Sequence, residues 1–212
     1  MEDREQVIAY GRADFEEPHS NFMRMLLTRF PRAWDIRSVL DLGCGTGDIT
    51  FRLAEAFPRA AIDALDGSEA MLNYAKDDLG KNPAIAGRIR FIHSMLEDYQ
   101  PVSLYDLIAS NSMLHHMPDP AVFWQAVKRL SGSGTRVFIM DLSRPGSHDE
   151  ARRLVEIHSP NEPEILKRDF YNSLLAAFEP DEVRQQLDEA GLGPLATERA
   201  SDRHLIVYGV IT

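Results

Sequence analysis

Residues 39–50 read VLDLGCGTGDIT: a mostly apolar run, Val39 to Leu42, passes through Gly43, Gly45 and Gly47 into a segment that opens at Asp48. This is the pattern of a strand turning tightly into a helix. Gly43 lets the chain leave the strand, and Gly45 and Gly47 remove side chains so that a ligand can lie against backbone N–H groups at the helix start. A dinucleotide fingerprint needs its third glycine three residues after the second. Counting from Gly45 puts Asp48 there and counting from Gly47 puts Thr50, so that pattern fails. No Gly-Lys-Ser or Gly-Lys-Thr follows, which excludes a P-loop. Asp41 and Asp48 beside the loop oppose a pyrophosphate and suit a cationic ligand.

Outward from this loop, short apolar runs alternate with longer amphipathic segments, the mark of a parallel sheet covered by helices. Strands are expected over Ser38–Leu42, Ala60–Leu65, Ile89–His93, Leu104–Ser110 and Arg136–Asp141, with helices over Asp48–Phe57, Glu69–Leu79 and Ala121–Leu130. After Asp141 the rhythm breaks: a polar, helical segment, Ser147–Phe178, precedes a helix over Pro180–Ala190 and reads as an insertion. Leu195–Ala200 and Arg203–Ile211, joined at Ser201 and Asp202, predict a closing antiparallel hairpin. Two helical stretches, Arg4–Tyr10 and Pro18–Phe30, precede the first strand, the second with Phe22, Met25, Leu26 and Arg29 or Phe30 at helical spacing. Both are expected over the carboxyl edge of the sheet, where ligands bind in open α/β folds. The organisation predicted is one domain over residues 1–212: a helical lid (1–35), a core (36–145), the insertion (146–179), and the closing helix and hairpin (180–212).

With 212 residues, 44% hydrophobic, the chain suits one packed domain. Its 23 Lys+Arg against 33 Asp+Glu leave a net charge of −10, which opposes a nucleic-acid partner. The single cysteine, Cys44, excludes an intrachain disulfide and a Cys-rich zinc site. The acidic start MEDREQVIAYGR is unlike a secretory signal, and the apolar runs fall far below the roughly 20 residues of a membrane helix. A cytoplasmic protein with no membrane partner and no metal is expected; a homodimer is compatible with the sequence.

Asp66 stands at the end of the second strand, about 20 residues beyond the loop, where an acid can accept both hydroxyls of a ribose. A glycine triplet alone is also an ordinary strand-to-helix turn, and a strand-end Asp an ordinary helix cap. The two at this spacing are far more specific. On these residues, over Val39–Asp141 and the closing hairpin, the chain resembles the class I S-adenosylmethionine-dependent methyltransferases, and among them the small-molecule branch that includes the ubiquinone and menaquinone C-methyltransferases. The resemblance implies a Rossmann-like, doubly wound α/β sheet of seven strands with the last antiparallel. It also implies S-adenosyl-L-methionine as cofactor, S-adenosyl-L-homocysteine as product and a small-molecule methyl acceptor.

By that resemblance Asp41, Gly43, Cys44, Gly45 and Gly47 face the methionyl part of the cofactor. Asp66, Gly67 and Ser68, with Met71 behind them, hold the ribose, and Ser94, Met95 and Leu96 contact adenine. Many relatives carry Gly-Asp where this chain has Ser94 and Met95, so an acidic contact to the adenine amine is missing or comes from Glu97. The fourth-strand segment, YDLIASNSMLHHMPDP, brings Asn111 and Ser112 to the methionyl end and His115 and His116 toward the transferable methyl. One of the two histidines is the candidate base, with Asp141 and His158 as further candidates; successive residues of an extended strand point oppositely, so at most one is expected to face the pocket. Tyr10 and Arg144 are candidate substrate residues, Arg144 as a clamp for an anion, as an exposed loop residue or as the partner of Asp141; Phe15 and His19 are further lid candidates. Other chemistry on the same cofactor, and a non-catalytic cofactor-binding module, remain open at this point.

Overall fold

The computed structural model describes residues 7, 10–11, 15–31 and 35–212. Of the helix expected over 4–10, all but Val7 and Tyr10 lies outside them. The order of elements is α1 (Glu16–Arg29), β1 (Ser38–Leu42), α2 (Asp48–Ala56), β2 (Ala61–Asp66), α3 (Glu69–Leu79), α4 (Pro83–Ala86), β3 (Ile89–His93), β4 (Leu107–Asn111), α5 (Pro120–Leu130), β5 (Arg136–Leu142), α6 (His148–His158), α7 (Glu164–Ala176), α8 (Pro180–Glu189), β6 (Ala196–Arg199) and β7 (His204–Val210). The seven strands lie in the order β3-β2-β1-β4-β5-β7-β6. β1 pairs in parallel with β2 and β4, and only β7 runs antiparallel, against both β5 and β6. The order reverses direction between β1 and β4, the crevice where open α/β sheets bind ligands.

Strands buried on both faces send alternate side chains to opposite layers. Leu40, Leu42, Ile108, Val137 and Ile139 meet α5 and α8 through Phe123, Trp124, Val127, Val183 and Leu187. Val39, Ile62, Leu107, Phe138 and Met140 meet α1 and α2 through Phe22, Leu26, Ile49 and Leu53. The insertion has its own small core, in which Ala151, Leu154 and Val155 of α6 pack against Leu174 of α7 and Leu142 of β5.

Two expectations change. β4 begins at Leu107 rather than Leu104, because the Asp106 carboxylate accepts from the backbone N–H groups of Arg37 and Ser38 (2.7 and 3.0 Å) and so pins the strand's entry to β1. α1 lies across a face of the sheet instead of over its carboxyl edge. Its Phe22, Met23, Leu26 stripe requires an apolar surface, which the face supplies: Phe22 meets Phe138 edge-on at 5.0 Å between ring centroids. Only the first turn reaches the edge, where Glu16 pairs with Arg52 of α2 (2.6 Å) and Glu17 with Arg203 of the hairpin turn (2.9 Å). Phe22→Ala is therefore expected to destabilise the fold by about 3–5 kcal/mol, the usual loss for a truncated buried phenylalanine, measured by urea unfolding.

Candidate active site

The three loop glycines all adopt left-handed backbone, with φ of 71° at Gly43, 53° at Gly45 and 89° at Gly47. The loop is held from β2: Gly43 and Cys44 donate their N–H groups to the Leu65 carbonyl (2.8 and 3.0 Å), and Gly47 donates to Cys44 (2.9 Å). At Gly45 a Cβ would meet no atom within 4 Å, so the backbone borders open space. The Gly45 N–H donates to Asp66 Oδ2 (2.8 Å), and the Ser68 N–H donates to Asp66 Oδ1 (2.8 Å). The ends of β1 and β2 are thereby joined through one carboxylate. Ser68 caps α3 by accepting from Met71 N–H (3.2 Å), and the Met71 side chain is buried beneath it. Burial, with Asp41 and Asp66 adding to it, pushes the Cys44 thiol well above its ordinary range, which leaves an inert thiol.

The two acids flanking the loop behave differently from a pair of open negative charges. Asp41 is buried and accepts from the Thr50 hydroxyl (2.6 Å). Burial pushes it up to about 7, with Asp66 adding and the Thr50 bond opposing. Asp48 is raised by burial, but His19 (2.5 Å) and Arg52 (2.7 Å) outweigh that and hold it below its usual range. Asp48 is thus already paired, and Asp66 is the acid set at the open side of the loop.

At the end of β3, Met95 is 56% exposed and its sulfur lies 3.1 Å from where a Cβ on Gly67 would stand. The Ser94 hydroxyl donates to the Met95 carbonyl (2.9 Å), whereas Leu96 turns its side chain into the core. His93, which sequence reasoning passed over as a strand residue, brings Nε2 to 3.0 Å from the Gly67 carbonyl.

β4 ends at Asn111, whose enclosed Oδ1 has no hydrogen-bond partner among the described residues. Ser112 adopts φ 58°, sparsely populated for a residue with a side chain, and donates its N–H to the Met140 carbonyl (2.9 Å). The chain then forms a 3₁₀ turn over Leu114–His116 instead of continuing extended. Both histidine rings consequently come together, 4.0 Å between centroids, where an extended strand would have separated them. His115 is buried and its Nδ1 lies 2.6 Å from Asp141 Oδ1. Asp141 also accepts from the N–H groups of Leu114 (2.6 Å) and Leu142 (2.7 Å), so three N–H donors compensate its burial. The Asp141 carboxylate thus fixes the orientation of the His115 ring through Nδ1. His116 keeps part of its surface open, yet desolvation by the surrounding protein and then the neighbouring His115 push it down to about 4. α7 of the insertion packs against this turn.

Two candidate substrate residues stand elsewhere. Arg144 is bound to Glu182 (2.6 Å), Glu179 (3.5 Å) and the Ala177 carbonyl (3.2 Å), within the cap of α8, so its guanidinium is not an open anion clamp and Asp141 takes His115 instead. Tyr10 lies beside the glycine loop, in a cleft of about 200 Å³ lined also by Phe15, His19, Thr46, Asp48 and Arg52. Tyr74 holds that stretch in place by donating to the Gly11 carbonyl (3.0 Å). Burial, then Asp66 and Asp48, push the Tyr10 hydroxyl up to about 12.

With this geometry in place the comparisons are informative. Residues 36–191 match the family model described as "Methyltransferase domain". The chain belongs to that family. It is 45% identical over 75 residues to the tRNA1(Val) (adenine(37)-N6)-methyltransferase of Pedobacter heparinus, covering 35% of this chain and 31% of that protein. It is 29% identical over 136 residues to the trans-aconitate 2-methyltransferase of Azoarcus sp., covering 64% and 49%. These matches span less than half of either relative. A crystal structure of a SAM dependent methyltransferase from Aquifex aeolicus superposes over 100% of both chains with a TM-score of 0.70 at 18% identity, a likeness of fold. No helix among the described residues is long and apolar enough to cross a membrane.

Folded Asp41 keeps its proton up to about 7, whereas the unfolded chain loses it near 3.8. The folded state therefore binds the extra proton between those values, and this residue's contribution to stability falls as pH rises through that window and levels off above it. Asp41→Asn is expected to gain stability relative to the unaltered protein between about pH 4.5 and 7, measured by urea unfolding at both values.

Proposed function

We propose that this chain is an S-adenosyl-L-methionine-dependent methyltransferase that passes a methyl group in line to a small-molecule acceptor, with S-adenosyl-L-homocysteine as the other product. The observation that carries the reading is Asp66, whose two oxygens are oriented by Gly45 and Ser68 at the rim of an open glycine loop. Each oxygen retains a lone pair for a ribose hydroxyl. The unsatisfied Asn111 Oδ1 supports a donor-bearing ligand beside the same loop, since a buried acceptor left without a partner is unfavourable by about 1–3 kcal/mol.

In this reading Asp41, Gly43, Cys44, Gly45 and Gly47 enclose the methionyl end together with Asn111 and Ser112. Asp66, Gly67, Ser68 and Met71 form the ribose side, and Ser94, Met95 and Leu96 the adenine side. The exposed thioether of Met95 would cover a flat ring where an acid would have bonded its amine. The bound cofactor supplies an electrophilic methyl on a sulfonium. The protein's part is alignment of the acceptor, worth effective molarities of order 10⁵ M or more, and, for a protonated acceptor, a base at His115 or His116. No metal is invoked. The name of the trans-aconitate 2-methyltransferase points to a small molecule and that of the tRNA1(Val) relative to a nucleic acid; the net charge of −10 favours the small molecule. A cytoplasmic setting accords with the one cysteine being free and buried.

Calorimetric titration with S-adenosylmethionine and S-adenosylhomocysteine tests the reading, with NADH as control. Both sulfur ligands are expected to bind, and Asp66→Ala to weaken them by about 1–3 kcal/mol, the loss of charge-assisted hydrogen bonds. Binding of NADH with neither sulfur ligand bound would overturn it.

A further inference from the structure

The end of β3 decides how the base of a bound cofactor is read. Ser94 donates its N–H to the Asp66 carbonyl (3.2 Å), which sets Met95 beside the ribose acid, and the Met95 thioether lies over Gly67. A ring attached to a ribose on Asp66 meets that thioether, a neutral, polarizable surface that packs on any flat ring. What this end offers to the edge of the ring follows from counting donors and acceptors. The carbonyls of Asp66, Gly67, Met95, Leu96 and Tyr99 are each taken by a protein group. Asp66 accepts from Ser94 N–H, and Gly67 lies 3.0 Å from His93 Nε2. Met95 accepts from the Ser94 hydroxyl (2.9 Å) and the Asp98 N–H (3.3 Å), and Leu96 and Tyr99 accept from the Arg129 guanidinium of α5 (2.7 and 2.6 Å). The N–H groups of Met95 and Leu96, by contrast, have no acceptor among the described residues.

Donors without acceptors suit the unprotonated ring nitrogens of an adenine, which only accept; an exocyclic amine needs an acceptor. The Ser94 hydroxyl is a neutral rotor that can donate or accept, so it distinguishes poorly between a base with the amine and one without it. Glu97 and Asp98 are exposed, where water competes for any bond they form and leaves little net gain. From this accounting we infer that the site recognises the purine by packing on Met95 and by its ring nitrogens, leaves the 6-amino group unread, and takes cofactor forms altered at C6 as well as S-adenosylmethionine. The inference rests on the methyltransferase reading above. Arg129 contributes by tying two carbonyls of the turn after Met95, which holds the open N–H groups in fixed directions before a ligand arrives.

The test is calorimetric titration of the unaltered protein and its variants with S-adenosylhomocysteine and with its 6-deamino analogue, which keeps every ring nitrogen and carries hydrogen at C6. The analogue is expected to bind within about 5-fold of S-adenosylhomocysteine, whereas a site that bonded the amine to an acid would lose about 10-fold or more, the usual weight of a charge-assisted hydrogen bond. Glu97→Gln should leave that ratio unchanged. Met95→Ala should weaken both ligands alike, by about 2–10-fold, the usual range for a sulfur–aromatic contact. Met95→Asp, at a position exposed enough to take an acid, should create a preference of about 10-fold or more for the amino form. A larger loss for the deamino analogue in the unaltered protein, a ratio that changes in Glu97→Gln, or Met95 variants that bind both ligands as the unaltered protein does would overturn the inference. In those cases S-adenosylhomocysteine still binds and the cofactor assignment stands. If neither ligand binds the unaltered protein, the inference and the methyltransferase reading fall together.

Discussion

The hydrogen bond from the Gly45 amide to Asp66 depends on a φ of 53° that a residue with a side chain rarely adopts, and on the end of β2 lying directly beside the end of β1. Neither condition is local. The glycine conformation gives the amide its direction, and the parallel β1–β2 register, with Leu42 opposite Leu65, brings the carboxylate within reach. The cores on the two faces of the sheet fix that register, because a one-residue slip would drive Val39 and Leu40 into the wrong layers. The packing of β1 is in this sense what aims Asp66.

Charge around the site is sorted by the same packing. Asp48 is neutralised by His19 and Arg52, Asp41 is buried against Thr50 and pushed up to about 7, and Asp141 is enclosed by three N–H donors. Asp66 stands at the rim with its two oxygens held by Gly45 and Ser68. It stands at the glycine loop, and the His115–Asp141 pair at the turn after β4. Through its first turn α1 ties two parts of the edge together, by Glu16 to α2 and Glu17 to the hairpin turn.

Much of this was legible in the chain itself. The glycine spacing, the Asp66 position and the alternation of apolar runs are local or periodic signals; they lead to βα steps closed by a hairpin, and the family resemblance they carry implied the seven-stranded sheet with β7 antiparallel. The 3₁₀ turn at Leu114–His116 was not legible, because it depends on Asp141 capping Leu114 from another strand. For the same reason the partner of His115 could not be told from Arg144 and Asp141 read as neighbours: β5 carries Asp141 into the site while Phe178 and the α8 cap draw Arg144 away. The amphipathic stripe of α1 announced a helix but not its surface, since apolar residues at helical spacing fit a sheet face as well as a lid. Asn111 shows the converse limit: its place at the end of β4 was expected, whereas the lack of a partner for its Oδ1 becomes visible only when every neighbouring donor is known.

The most direct measurement is a crystal structure of the protein grown with S-adenosylhomocysteine. The account predicts the ribose hydroxyls on the Asp66 carboxylate, the amino-acid end of the ligand against Gly43–Gly47 with a donor on Asn111 Oδ1, and the sulfur facing the His115–His116 turn. Density for the ligand anywhere else, or a ligand in the crevice with Asp66 still bonded to protein alone, would contradict it.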